Sequence, residues 1–440
     1  MPFLLFGLLY LRQPSRAIAL SFMLRSELQK KPSSSDNNCT GLWSIPVIRQ
    51  DSEWVPAFPE TRAAYWLISF KTKHNQRPVR IEFTGEFPHA RFMSFTTYHG
   101  ATAVAIKSVK DVEIKPKAGN SNPYQRSVNR NESARSYSLT VSPQGSSLHT
   151  AENETHYPDN IESVTVILRV YRADEKYDHQ GGVNLPEARA FYADDNTPLP
   201  ECQRTVNFPR FNPSKIERLI DEEIERNQEK LSRPQAQKLS YALPFLPPNT
   251  NRWFPFYAWH SKDGHLYPNL HIDYGLTTLS KDLGDVVLVK FKAPTFPQTG
   301  SGQPFLDHKS EVRYWSLCLG GLEETNTIGC ISDFEAKLDQ EGFVSIIIAD
   351  SKDEQVTNHA ASKGYSFLPW GSVSGNYRVI LRFIENETPF PFAYSQVPSI
   401  RTITEKPTPE LLQEYEAHRH IGDYAARGVY LSREEFLELK

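Results

Sequence analysis

The 440-residue chain has few cysteines (four), few methionines (three) and no excess of charge of either sign. With 49 basic and 52 acidic residues its formal net charge is −3, so it lacks the basic surface typical of a nucleic-acid-binding protein. No apolar run reaches the roughly 18 residues that a membrane-spanning helix needs. These absences exclude a nucleic-acid partner and a polytopic membrane protein.

Familiar catalytic motifs are also missing. The sequence has no C-x-x-C, which argues against a zinc ribbon or thioredoxin-like chemistry. It has no G-x-S-x-G or H-E-x-x-H, so the common hydrolase classes have no support. The glycines at Gly181-Gly182 and Gly320-Gly321 match no phosphate-binding pattern. The sequence therefore indicates no cofactor and does not say whether the protein is an enzyme.

Residues 1–40 are predicted to form an extension outside the folded core. Two short apolar blocks, Phe3–Leu11 and Ala17–Leu24, surround Arg12 and Arg16. The second block follows these basic residues as in an export signal, but no small-x-small cleavage site comes after it. The alternatives are a signal or anchor, which would make the protein exported or envelope-associated, and an extension of a cytoplasmic protein.

Several short blocks occur twice, in the same order, along the chain. The clearest is RFMSF (Arg91–Phe95), which matches RYWSL (Arg313–Leu317). The other matched pairs are Phe58-Pro59 with Tyr267-Pro268, Val79–Phe83 with Val287–Phe291, Phe87-Pro88 with Phe296-Pro297, Tyr137–Val141 with Val344–Ile348, and Val166–Tyr171 with Val379–Ile384. This order predicts an internal duplication.

The repeated blocks are four to eight residues long and rich in Val, Ile, Phe and Tyr, with Pro, Gly and Asn between them, which is typical of β-strands. The fold class predicted is all-β, with two tandem duplicated β-sandwich or jelly-roll-like domains, a connecting helix and short C-terminal helices. The domains expected after the N-terminal extension are a first β domain (43–205), a helical linker (206–249), a second β domain (250–400) and a C-terminal helical tail (401–440). Such halves are expected to pack as a pseudo-two-fold pair.

Local signals place three helices. Asn212-Pro213 begins the linker helix, which ends before Pro234. Thr408-Pro409 begins a second helix and Ser432 a third, near the C-terminus.

The cysteines are Cys39, Cys202, Cys318 and Cys330. In the repeat alignment the last two face Thr96 and Ser108, so one half has a cysteine pair where the other has two hydroxyl residues. This pattern predicts a cross-strand Cys318–Cys330 disulfide, and the position of the other two cysteines at the ends of the first half favours a second bridge between them. Two bridges would indicate an oxidising compartment; the alternative is four buried free thiols in a cytoplasmic protein.

Four motifs occur together in the chain: RYWSLC with a downstream C-x-x-D (Arg313–Cys318, Cys330 and Asp333), YPN (Tyr267–Asn269), LPWG (Leu368–Gly371) and GDYAARGVY (Gly422–Tyr430). In combination they resemble a family of uncharacterised bacterial proteins, many of them exported. The resemblance covers about residues 43–430 and implies no known activity, substrate or cofactor. The sequence departs from the family pattern at Leu270–Asp273, where the family has Asp, Asn and Lys after YPN.

One cluster contains residues of the types that bind metals: His260, His265, His271 and Asp273. The last two are separated by one residue on a predicted strand, so they would project from the same face. A metal site of the cupin type would need a third ligand, and none is recognisable downstream. The alternative to a metal site is that these side chains have a purely structural role.

Arg91 and Arg313 begin the clearest repeated strands, and Arg169 and Arg382 lie inside apolar ones. Arginines at such positions are rarely unpaired. The acidic residues expected to pair with them, also repeated, are Asp111 and Glu113 in the first half and Asp333 and Glu335 in the second. The favoured interpretation is an ion pair inside each half; the alternative is a groove in which Arg91 and Arg313 bind an anionic ligand.

An aromatic run, WFPFYAW, extends from Trp253 to Trp259. It indicates core packing or, as an alternative, an aromatic platform for a sugar or an apolar ligand. Two functional hypotheses follow. The first is a non-enzymatic, envelope-associated or exported protein that binds a small molecule or envelope component, or has a structural role, in a groove between two β domains. The second is a metal-dependent, cupin-like enzyme that uses His271 and Asp273.

Overall fold

The structure of the protein is a computed structural model. The residues it describes are Trp43, 58–146, 153–199, 251–263, 267–307, 309–322, 325–372, 376–403 and 408–439. The predicted N-terminal extension and linker helix, together with Cys39, Cys202 and His265, lie outside them.

The described residues form 19 strands and a few short helices, which confirms the all-β fold class. The strands of the first half are β1 (Ala63–Lys71), β2 (Lys73–His74), β3 (Arg77–Glu86), β4 (Ala90–His99), β5 (Ala105–Lys110), β6 (Ser136–Pro143), β7 (Glu154–Tyr157), β8 (Ser163–Ala173) and β9 (Glu187–Tyr192). Those of the second half are β10 (Trp253–Pro255), β11 (Tyr257–His260), β12 (Ile272–Leu279), β13 (Val286–Lys292), β14 (Val312–Gly321), β15 (Thr327–Ser332), β16 (Phe343–Ala349), β17 (Ser366–Pro369), β18 (Tyr377–Glu385) and β19 (Arg427–Leu431).

Each half contains two sheets. In the first half these have the orders β1-β8-β4-β5 and β2-β3-β6-β7, with β9 beside β3. In the second half they have the orders β11-β12-β18-β14-β15 and β10-β19-β13-β16-β17. We name β1-β8-β4-β5 and β11-β12-β18-β14-β15 the inner sheets, because their outward faces meet between the halves, and the other two the outer sheets.

The two sheets of each half enclose one apolar core, so each half is a β-sandwich. In the first, Trp66 and Leu168 of the inner sheet pack in the same cluster as Phe83 and Leu139 of the outer sheet. In the second, the inner and outer sheets likewise share a cluster that includes Trp315. Each sandwich contains one parallel pair, β6 with β7 and β16 with β17, whereas jelly rolls are antiparallel.

The inner sheets share strand order and register. In the first, Arg169 of β8 lies between Tyr65 of β1 and Ser94 of β4. In the second, Arg382 of β18 lies in the same way between Tyr274 of β12 and Ser316 of β14. Strands β8 and β18 are buried almost throughout because one face meets the sandwich core and the other meets the opposite half. The matched sequence blocks therefore occupy matching places.

Four α-helices complete the described chain: α1 (Glu354–Ser362), α2 (Pro409–Glu414), α3 (His418–Ile421) and α4 (Arg433–Leu437). The helices predicted at Thr408-Pro409 and at Ser432 are confirmed; the Thr408 hydroxyl accepts a hydrogen bond from Leu411 N, and Ser432 forms a capping box with Glu435. Helices α1 and α4 cover the second outer sheet. Among the described residues, no helix has the length and apolarity to cross a membrane.

Candidate functional site between the sandwiches

Two buried ion pairs connect the halves, each pair joining one half to the other. Arg313 donates to both carboxylate oxygens of Asp111, at 2.7 and 2.9 Å, and Arg91 donates to Asp333 Oδ2 at 2.5 Å. All four side chains are at most 2% exposed. The prediction of pairs inside each half was therefore wrong, because Arg313 binds Asp111 rather than Asp333 or Glu335.

Backbone hydrogen bonds explain where the carboxylates lie. Asp111 Oδ2 accepts from Met93 N at 2.7 Å, and Asp333 Oδ2 accepts from Trp315 N at 3.2 Å, each within its own half. This bond holds each carboxylate against its own inner sheet, where the arginine of the opposite half reaches it. Because both guanidinium groups are buried against a carboxylate of the opposite half, Arg91 and Arg313 are part of the interface between the halves.

Two loops are exchanged in the same reciprocal way. Phe58 of the first half accepts a hydrogen bond at its carbonyl from Arg382, and its N–H donates to Thr325 O at 2.7 Å. Tyr267 of the second half accepts from Arg169 at 2.6 Å and donates to Ala103 O at 3.2 Å. Each half thus places its repeated aromatic-proline loop on the inner sheet of the other.

The first of these loops carries a buried carboxyl group, that of Glu60. It is 0% exposed, and its Oε2 accepts from Arg62 N at 2.7 Å. No hydrogen bond of ordinary geometry satisfies its other oxygen, Oε1, or the neighbouring Tyr314 Oη and Arg382 Nη1, although the Tyr314 hydroxyl interacts with the Glu60 carboxyl group. Burial raises the pKa of Glu60 to about 7, against the opposing attraction of Arg382. We name Glu60, Tyr314 and Arg382, with the adjacent disulfide, the Glu60 cluster.

The disulfide of this cluster joins Cys318 and Cys330, directly opposite each other on β14 and β15, as the repeat alignment predicts. A carboxylate oxygen of Glu60 lies within 4.8 Å of both sulfur atoms. Within the described chain this is the only close grouping of three His, Cys, Asp or Glu side chains, and bonded sulfurs do not supply thiolate ligands. The cluster is therefore a buried polar site in which the two sulfur atoms are not available as thiolate ligands.

The equivalent place in the first sandwich has different chemistry. Asn269 replaces Glu60 on the exchanged loop, and Phe92 replaces Tyr314. The hydroxyls of Thr96 and Ser108, 2.8 Å apart, stand where the disulfide is. Only on the inner sheet of the second sandwich, where the loop of the first half docks, does this place combine a carboxyl group of near-neutral pKa, a phenol and a disulfide.

The two metal-ligand candidates lie in separate surroundings. His271 lies against the Phe92 ring of the other half, and burial lowers the pKa of its imidazole to about 3. Burial and the neighbouring Glu385 carboxylate raise the pKa of Asp273. His260 contacts Val397 O at 3.0 Å. In the part of the chain that the structure describes, no third ligand joins His271 and Asp273.

The aromatic run is divided between two sheets. Trp253 begins β10 of the outer sheet and is 69% exposed, whereas Trp259, on β11 of the inner sheet, packs against Tyr274 at 5.2 Å. The two rings therefore do not form one platform on adjacent strands.

Sequence reasoning missed Glu60. Glu60 directly follows the repeated pair Phe58-Pro59, and the matching residue in the second half is the neutral Asn269. This change from a neutral to an acidic side chain is the signal by which the sequence could have indicated the site.

Comparisons with known proteins give no functional assignment. No protein-family model matches the sequence. No curated protein matches it either. An uncharacterised protein from Burkholderia cenocepacia is similar in structure, with 11% sequence identity and a TM-score of 0.44 over 86% of this chain and 88% of that one. A structural-genomics target from Vibrio parahaemolyticus matches with 11% identity and a TM-score of 0.37 over 75% of this chain and 86% of its own.

Proposed function

We propose that this is a non-enzymatic binding protein whose small polar ligand lies in the Glu60 cluster between the two sandwiches. The observation behind it is that Glu60 Oε1, Tyr314 Oη and Arg382 Nη1 are buried together without a hydrogen bond of ordinary geometry. Unpaired buried polar atoms cost free energy, and a molecule that supplies both a donor and an acceptor would satisfy all three.

The cluster offers a ligand complementary groups. Arg382 Nη1 is a donor, and the Tyr314 hydroxyl is a donor or an acceptor. Glu60, with a pKa of about 7, accepts when ionised and donates when protonated. A neutral ligand carrying hydroxyl or amide groups fits this set, and its binding would change the protonation of Glu60 near neutral pH.

We propose that the protein acts outside the cytoplasm, since the Cys318–Cys330 disulfide is compatible with an oxidising compartment. We also propose that the halves arose by duplication, that the chain belongs to the family it resembles, and that one inherited site lost its polar groups. The shared register of the inner sheets supports the duplication.

Native mass spectrometry of the full chain, purified without reductant from its own host, tests the binding proposal. We expect a stoichiometric small-molecule adduct on the wild type and a loss of that adduct in Glu60→Gln/Tyr314→Phe. The matched control is Glu311→Gln/Tyr424→Phe, which removes the same groups from a hydrogen-bonded pair outside the cluster; it should keep the adduct. Wild-type protein without an adduct, with ordered water bridging the three atoms in a crystal structure, would leave the cluster a purely structural one and refute the proposal.

A further inference from the structure

A second anomaly lies on the same inner sheet, at Arg378 of β18. The residue is 1% exposed, and its Nε, Nη1 and Nη2 atoms all lack a hydrogen-bond partner. Arginine is almost never fully buried without a counter-charge, because the desolvation of a lone cation is costly. Burial alone lowers the pKa of this guanidinium to about 9.

The strands on either side of Arg378 supply no negative charge. On β12 its register partner is Thr278, whose Oγ1 is also buried without a partner. On β14 its partner is Gly320, which has no side chain and is covered by the Phe58 ring. A cation and a hydroxyl group on adjacent strands are thus both left unsatisfied at one place.

The same row of the first sandwich is fully satisfied. There Thr165 replaces Arg378, and its hydroxyl lies 2.8 Å from that of Ser69. Tyr98 replaces Gly320, and its hydroxyl donates to Pro268 O at 2.6 Å. The unpaired cation is therefore not a requirement of the sheet, because the equivalent sheet forms without it.

We propose that Arg378 and Thr278 bind the carboxylate group of a small organic acid. The guanidinium presents parallel N–H groups that match the two oxygens of a carboxylate, and the threonine hydroxyl can donate a third hydrogen bond. One buried positive charge is balanced by a monoanion, which favours a carboxylate over a phosphate dianion. The site uses none of the residues of the Glu60 cluster, so it goes beyond the proposed function. Its test can therefore succeed or fail whatever the outcome at the Glu60 cluster.

Thermal unfolding of the full chain in sodium acetate, against sodium chloride and sodium phosphate at equal ionic strength, tests the site. We expect the Tm of the wild type to rise with acetate concentration, and above the dissociation constant to rise with its logarithm, as for a ligand that binds only the native state. Arg378→Met should unfold at or above the wild-type Tm without acetate, because it removes an unpaired buried charge, and should lose the acetate response. Thr278→Val should weaken that response. Arg77→Met, which removes an exposed arginine, should keep it.

Two results would overturn the proposal. An Arg378→Met variant that unfolds well below the wild type, or does not fold, together with no acetate response in the wild type, would mean that the folded chain itself accommodates the arginine and that no ligand binds there. An equal response to acetate and phosphate that persists in Arg378→Met would mean a general salt effect.

Discussion

The Arg313 guanidinium shows how one residue determines the arrangement of the halves. It donates to both oxygens of Asp111 and also to the carbonyl of Arg91 at 2.5 Å, so its position requires both sandwiches. A buried ion pair contributes little net stability, but breaking it leaves a buried charge uncompensated. The pair therefore acts mainly by penalising every other arrangement of the two halves.

Removing the guanidinium should accordingly destabilise the protein. We expect Arg313→Ala to lower the free energy of unfolding by about 3–5 kcal/mol, because Asp111 stays buried without its partner. Arg313→Met combined with Asp111→Asn should recover much of this loss, measured by urea denaturation. Arg313→Met with Glu335→Gln, the partner expected from sequence, is the control and should recover none. A single-variant curve that overlays the wild type would contradict this assignment.

Glu60 should make stability depend on pH. Its pKa is raised from 4.5 to about 7 in the folded chain, so the folded state keeps a proton that the unfolded state has lost. The free energy of unfolding should therefore fall as pH rises from 4.5 to 7, by roughly 3 kcal/mol, and then level off. Glu60→Gln should lack this component, and Glu311→Gln should retain it. Parallel pH profiles for the wild type and Glu60→Gln would contradict the raised pKa.

Of these residue contacts, the sequence predicted the disulfide but neither the exchange of the ion pairs nor the burial of Glu60. The repeat alignment predicted that Cys318 faces Cys330, because both members of the pair change together between the halves. It could not say which half supplies the carboxylate for Arg313, since Asp111 and Asp333 are equivalent and exchanging them breaks no local pattern. Glu60 was missed because its burial depends on the loop of one half reaching the sheet of the other.

At the scale of elements, the exchanged loops explain several unusual backbone conformations. Phe58 and Tyr267 have φ values of 50° and 55°, and the residues they contact, Thr325 and Ala103, have 52° and 56°. Such values are uncommon for residues other than glycine and persist where surrounding contacts enforce them. The same strained contact occurs at both exchange points, so we infer that it belongs to the interface. The alternation of apolar residues predicted the strands, but these loops carry no periodic pattern from which docking could be predicted.

At Gly320 of β14 the first loop lies close against the opposite sheet. A Cβ atom on it would lie 2.1 Å from Asn326 O and 2.7 Å from the Phe58 ring. Gly320→Ala should therefore displace the loop and lower the free energy of unfolding by about 1–3 kcal/mol, the usual cost of overpacking. Gly300→Ala, where the added Cβ meets nothing within 4 Å, is the control and should change it little. Equal denaturation midpoints for the two variants would show that the loop does not dock as described.

At the scale of the whole molecule, the halves are joined by apolar packing as well as by reciprocal polar contacts. An apolar cluster between the inner sheets includes Phe92 and Tyr171 of the first half and Tyr314 and Ile384 of the second. The ion pairs lie at the edge of this cluster, where the Phe92 ring is 5.0 Å from the Arg313 guanidinium. Either sandwich alone would expose both the apolar face and half of each ion pair.

Because neither inner sheet has its full set of partners without the other, we expect the two sandwiches to unfold together. Calorimetry of the wild type should show one transition whose calorimetric and van't Hoff enthalpies agree. Asp111→Asn/Asp333→Asn removes both buried carboxylate charges that hold the halves together, and should separate this transition into two. Arg77→Met is again the exposed-arginine control and should leave it single. Two resolved transitions in the wild type would mean that each sandwich is stable alone, and the interface between them would then be a docking surface between independent domains.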